Sequence, residues 1–164
     1  AYNPMLDKQE LTETINRAIG ETGDGDLFLV GVNVTPDNRV TVEIDAAGGV
    51  DIEACVAITQ AIRGQFDPEK EDYELEVGSV GLTTPFKVIE QYVKNIGNQV
   101  DVLTRDGRKV HGRLIEVNTA DMRFTVEVPT KVKEEGMKRP VLTDVPHEFA
   151  IADCKSVTYA IDFK

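Results

Sequence analysis

The chain has 164 residues, 41% hydrophobic and 29% charged, enough for one good core or two small ones. No apolar run approaches the ~20 residues that cross a bilayer, and the opening Ala1-Tyr2-Asn3-Pro4 shows no basic-then-apolar leader, so a secretory signal is absent or was removed, and a soluble, cytoplasmic protein without a membrane partner is expected. The net charge of −11 is unevenly shared: residues 1–83 hold 5 basic and 17 acidic residues, a net of −12, while residues 84–164 come to +1, so the N-terminal half should repel bare phosphate and attract a basic partner.

A first helix is expected from Pro4, capped by Asn3, with Leu11, Ile15, Ala18 and Ile19 on one face and Gly20, Gly23 and Gly25 closing the segment. The period then changes to two. Phe28, Val30, Val32 and Val34 predict one strand face, Pro36-Asp37-Asn38 a turn, and Val40, Val42 and Ile44 a second strand antiparallel to the first. Asp51 precedes a helix presenting Cys55, Ile58, Thr59, Ile62 and Phe66, ended by Asp67-Pro68. Tyr73 to Val77 alternates as a third strand with an acidic outer face. The order α-β-β-α-β predicts two helices on one face of a three-stranded sheet.

Gly78-Ser79-Val80-Gly81-Leu82 forms a corner, and Thr84-Pro85 opens a connector helix presenting Val88, Ile89, Tyr92, Val93 and Ile96 until Gly97. Beyond it come short alternating strands: Val100 and Val102, a turn at Arg105-Asp106-Gly107, Val110 to Leu114, a turn at Asn118 to Asp121, and Phe124 to Val128. Lys131 to Asp144 reads as a long mobile hairpin loop, Phe149 and Ile151 as a short strand, and Val157, Tyr159, Ile161 and Phe163 as the closing one. The expected class is α+β: an α/β two-layer sandwich over 1–82, a connector over 83–97 and a small, bent five-stranded β-barrel over 98–164.

Reactive groups are sparse. His111 and His147 have no partner at metal-ligand spacing, and Cys55 and Cys154 are too far apart in sequence to suggest a zinc or disulfide framework. Ser79 lacks the Gly-x-Ser-x-Gly order of a nucleophile elbow. Gly78-Ser79-Val80-Gly81 matches the Gly-x-x-Gly loop that clamps nucleic-acid backbone, but it follows a strand and reads as a structural corner. Asp45, Asp51 and Glu53 could meet near Gly48-Gly49, yet helix capping explains acids there without a cation. The reading is a binding protein, not an enzyme, with no cofactor, metal or small-molecule substrate.

Two groups of interaction residues stand out. Gly78, Ser79, Gly81, Leu82 and Pro85 would set the angle between domains, with Gly81 using dihedrals closed to branched residues. Arg105, Arg108, Lys109 and Arg113 bracket one hairpin and could touch RNA phosphates, as could Lys131, Lys133, Lys138 and Arg139. Asp101, Asp106, Glu116, Glu134 and Glu135 are interleaved with them, so a solvated mixed face competes with that reading.

Three stretches together resemble the RimP family of bacterial ribosome maturation factors, which assist assembly of the small ribosomal subunit. They are Arg39 to Asp45 with Gly48 to Cys55, Tyr73 to Pro85, and Phe149 to Phe163. The corner departs from the family's Ser-Pro-Gly-Leu-Asp-Arg-Pro at Val80 and Thr83-Thr84. The resemblance implies a C-terminal barrel similar to SH3 and Sm folds and transient, non-catalytic binding to the immature small subunit, with a basic ribosomal protein and nearby ribosomal RNA as partners. A stand-alone RNA-binding adaptor acting through the barrel is the alternative.

Overall fold

The computed structural model describes residues 5–81, 83–136 and 138–161. It is an α+β protein whose chain divides into two compact units, Ala1–Val80 and Gly81–Lys164. No helix among the described residues is long and apolar enough to cross a membrane.

In the first unit the elements are α1 (Lys8–Thr22), β1 (Leu27–Val34), β2 (Arg39–Ala46), α2 (Ile52–Gln65) and β3 (Glu74–Ser79). The cap expected at Asn3 and Pro4 lies outside the described residues. The helix itself begins at Lys8, because the Asp7 carboxylate accepts from the N–H groups of Gln9 and Glu10 at 2.8 and 3.3 Å. Leu11, Ile15, Ala18 and Ile19 are buried together as the spacing predicts, and Gly23 ends the helix at φ 77°. The sheet order is β1-β2-β3, antiparallel between β1 and β2 and parallel between β2 and β3. Both helices and the sheet contribute to one apolar cluster centred on Leu11, Ile15, Ile44, Ile58 and Ile62.

Strand β1 departs from simple alternation. Its register with β2 shifts between Leu29 and Gly31, a bulge at Val30 that flips the phase of every side chain beyond it. Leu27, Leu29, Val32 and Val34 therefore face the core, opposite Ala46, Ile44, Val42 and Val40, and the expected face of Phe28, Val30, Val32 and Val34 does not exist as one surface.

The second unit holds α3 (Ile89–Lys94), β4 (Gln99–Thr104), β5 (Lys109–Asn118), β6 (Arg123–Val132), β7 (Val141–Ala150), a 3₁₀ turn at Ile151–Asp153 and β8 (Cys154–Tyr159). The expected connector helix is shorter than its apolar spacing suggested. Residues 84–88 are not helical, and the buried Gln91 closes the first turn by accepting from the N–H groups of Lys87 and Val88 at 2.6 and 3.1 Å. Its Tyr92 packs with Phe86, Phe124 and Phe149 as a run of rings 5.0 to 5.5 Å apart.

The five strands form one antiparallel sheet in the order β7-β6-β5-β4-β8. No ladder joins β7 to β8, so the expected closed barrel is not made; the sheet instead curls over a single cluster to which Val100, Leu114, Phe124, Phe149 and Val157 all contribute. Bulges at Leu114/Glu116 and Leu103/Thr104 supply curvature. As an edge strand, β7 tolerates Pro146, which has no N–H to offer a further neighbour. The long loop is also shorter than expected: the β6–β7 ladder runs on to Val132↔Val141, beyond the last β5–β6 pair Arg113↔Glu127, as a two-stranded ribbon. Ile151 belongs to the 3₁₀ turn, not to a strand, and Phe163 lies outside the described residues.

One turn is built twice. Thr35-Pro36-Asp37-Asn38-Arg39 and Thr104-Arg105-Asp106-Gly107-Arg108 share a three-residue hairpin loop with a left-handed third residue, Asn38 at φ 58° and Gly107 at φ 93°. In each the threonine hydroxyl donates to the aspartate two residues on and accepts from the arginine N–H, at 3.0 Å in the first and 2.9 Å in the second. Each arginine also lies against its loop aspartate, at 3.3 and 3.4 Å.

Burial of Tyr92 gives the second unit an alkaline weakness. Desolvation, reinforced by Cys154, pushes its hydroxyl up to about 12. The folded state thus holds a proton that the unfolded chain releases near pH 10, so this contribution is whole below pH 10 and is lost as pH rises toward 12. Thermal melts should show the midpoint falling more steeply across that window for the wild type than for Tyr92→Phe. Parallel curves would refute the assignment.

Candidate functional site

The corner residues are placed differently from expectation. Gly78 and Ser79 belong to β3, paired with Glu43 and Ile44, and the ladder extends to a bond from the Val80 N–H to the Ile44 carbonyl at 3.1 Å. Half of the Gly-x-x-Gly match is thus strand, not an exposed backbone hoop. Neither Gly78 nor Gly81 has a positive φ, so the special dihedral expected at Gly81 is absent; a side chain there would instead meet the Thr84 hydroxyl at 2.8 Å. Leu82 lies outside the described residues. Pro85 is exposed ahead of Phe86, whose N–H bonds the Val157 carbonyl at 2.8 Å.

The four basic residues of the β4–β5 hairpin do not form one patch. Lys109, with His111, lies beside the outer faces of β4 and β8, and the His111 ring nitrogen sits 2.7 Å from Asp101. Arg113 lies within β5 at its last pair with β6, next to the ribbon, 3.4 Å from Glu127. Only Arg105 and Arg108 share a site, because both stand in the turn and not on the alternating strand. That site is a depression of about 380 Å³ at the turn end of the curled sheet. Into it the topology brings two groups that sequence spacing did not connect with the hairpin, Arg123 at the start of β6 and His147 on β7. A signal was available only through pairing: a tight β6–β7 ladder sets Arg123 opposite Ala150 and Val126 opposite His147.

Each guanidinium in the depression is held through its Nε. Arg105 donates to the Ala152 carbonyl at 2.7 Å, Arg123 to Glu148 at 2.7 Å, and Arg108 lies 3.4 Å from Asp106. The Thr104 hydroxyl holds the Asp106 carboxyl below its ordinary value, with Arg108 adding to the effect. The arginines are exposed enough for screening to keep these pairs weak, with side chains of Arg108 and Arg123 at 68% and 41%. Their role is orientation.

The acidic candidates separate as well. Asp51 caps α2 by accepting from the Ala54 N–H at 2.9 Å, Asp45 accepts from its neighbour Ala46, and Glu53 is exposed on the first turn. No three His, Cys, Asp or Glu among the described residues are grouped to hold a metal. Both cysteines are free, and burial raises the Cys154 thiol above its usual range.

A sequence model of the RimP N-terminal domain matches residues 19–83. The chain is 40% identical over 157 residues to proteins named ribosome maturation factor RimP from two strains of Porphyromonas gingivalis, covering 96% of this chain and all of theirs. It is 32% identical over 123 residues to the protein of that name from Flavobacterium psychrophilum, spanning 75% of this chain and 77% of the relative.

Proposed function

Because the chain belongs to the RimP family of ribosome maturation factors, we propose that it binds the immature small ribosomal subunit in the cytoplasm, transiently and without catalysis, as two domains connected through the Gly78 to Pro85 segment. The observation that carries this reading is the full-length similarity to proteins of that name. Charge supports the division of labour. The net of −12 over residues 1–83, with Glu74 and Glu76 exposed on β3, suits a strongly basic ribosomal protein. The second unit, nearly neutral overall, can approach ribosomal RNA without strong repulsion, its curled sheet serving as the counterpart of an SH3- or Sm-like barrel. A factor of this kind acts by population shift, favouring the subunit conformation it binds more tightly.

Gradient sedimentation of cell extract should place this chain with precursor small subunits and not with mature ribosomes. A chain that stays at the top of the gradient, in cells accumulating precursor particles, overturns the proposal.

A further inference from the structure

The depression at the turn end of the second unit has a regular feature. Arg105, Arg108 and Arg123 each direct Nε to a fixed oxygen of the protein, and none of their Nη groups makes a hydrogen bond among the described residues. Arg113, outside the depression, is arranged the other way, turning Nη2 toward Glu127. Anchoring at Nε fixes the plane of a guanidinium while leaving the forked end for a second partner, and that fork matches two oxygens of a phosphate. Asp106 and Glu148 neutralise the site at long range without occupying the forks.

We propose that this depression seats a phosphodiester of single-stranded RNA, its non-bridging oxygens taking the Nη forks of Arg105, Arg108 and Arg123. His147, exposed in the same depression, offers a ring face on which an adjoining base can stack. This inference rests on the proposed action at the immature subunit and narrows its RNA contact to one end of the sheet. Lys109 and Arg113 then have no part in it. One seated phosphate on a single strand predicts a shallow slope of log affinity against log salt, about −0.7, and the neutral surroundings leave little non-specific attraction besides.

The test is binding of a short unstructured RNA to the full chain, followed by fluorescence anisotropy at low and physiological salt. Arg108→Gln with Arg123→Gln should weaken binding by ~10-fold or more and flatten the salt slope, whereas Lys109→Gln with Arg113→Gln, the same loss of charge, should change it by less than about 2-fold. Arg123→Lys, which keeps the charge and loses the fork, should fall between them. Equal losses from the two pairs, or no RNA binding by the wild type, overturn the seat. Gradient sedimentation separates the two levels of failure: pocket variants that still travel with precursor subunits after losing RNA refute the seat alone, and a wild type that never does refutes the functional reading as well.

Discussion

Gly112→Ala should be the most damaging single methyl group in the second unit. Gly112 lies inside β5, opposite Val100 of β4, where a Cβ would stand 2.2 Å from the Glu127 carbonyl oxygen, 2.7 Å from Val126 Cγ1 and 3.0 Å from the Glu127 carbonyl carbon. Two of those three atoms are backbone of β6, so no rotamer change can clear them; β5 and β6 must part. The close approach follows from the curl of the sheet, which the bulge at Leu114/Glu116 tightens just beyond. Separating the strands loosens the cluster of Leu114, Phe124 and Val126 between them, and the expected loss is at least about 3 kcal/mol, the upper part of the range for overpacking. Hydrogen exchange is the appropriate measurement. Protection should fall across β4 to β7 and persist in α1, β1 and β2, whose packing does not involve this glycine. A variant with wild-type protection in β5 and β6 would show that the strands have room to spare.

The first unit was more legible in the sequence than the second, for reasons visible in particular residues. Leu11, Ile15, Ala18 and Ile19 announce the buried face of α1 because helix periodicity is local and the cap, Asp7, lies beside it. The bulge at Val30 was hidden because Leu27 to Val32 is apolar on both sides, leaving alternation nothing polar to mark the change of face. The ribbon was misread as loop because its charged residues Lys131 and Lys133 sit in or beside strands that have lost one neighbour, where solvent replaces packing. Open sheet order was likewise beyond reach of pattern, since alternation fixes faces and not which end strands meet. The basic residues show the same limit at a site. Arg105 and Arg108, three residues apart in one turn, line the same depression, while Arg113, only five residues further on, is carried away by a strand rising about 3.3 Å per residue. Arg123 and His147 come back through pairing alone. The repeated threonine-aspartate-arginine turn, by contrast, is entirely local, and its two copies differ in that the first buries its left-handed residue, Asn38, while Gly107 of the second is exposed.

That difference makes Asn38 the decisive residue of the first unit. It is 1% exposed, holds φ 58°, and ties three segments together. Its side-chain oxygen accepts from the Leu6 N–H at 3.0 Å, its amide nitrogen donates to the Asp72 carbonyl at 3.3 Å, and its own carbonyl accepts from the Glu74 N–H at 2.9 Å. The approach to α1, the β1–β2 turn and the start of β3 are thereby joined through one buried amide. Asn38→Ala removes the side-chain bonds, leaves the Leu6 donor buried beside an apolar methyl, and puts alanine in the left-handed region; about 1–3 kcal/mol for the unsatisfied group and about 1 kcal/mol for the backbone add to a loss of about 2–4 kcal/mol. Asn38→Gly separates the two causes. It keeps the dihedral easy, as Gly107 does in the second copy of the turn, and should recover about 1 kcal/mol relative to alanine while still lacking the bonds to Leu6 and Asp72. Urea unfolding should therefore rank wild type above glycine above alanine. Glycine matching the wild type would mean that the buried bonds carry no stability, and glycine matching alanine would mean that the left-handed turn imposes no strain. The first result would remove the reason for an asparagine where the sister turn has glycine; the second would leave the buried bonds as its whole reason.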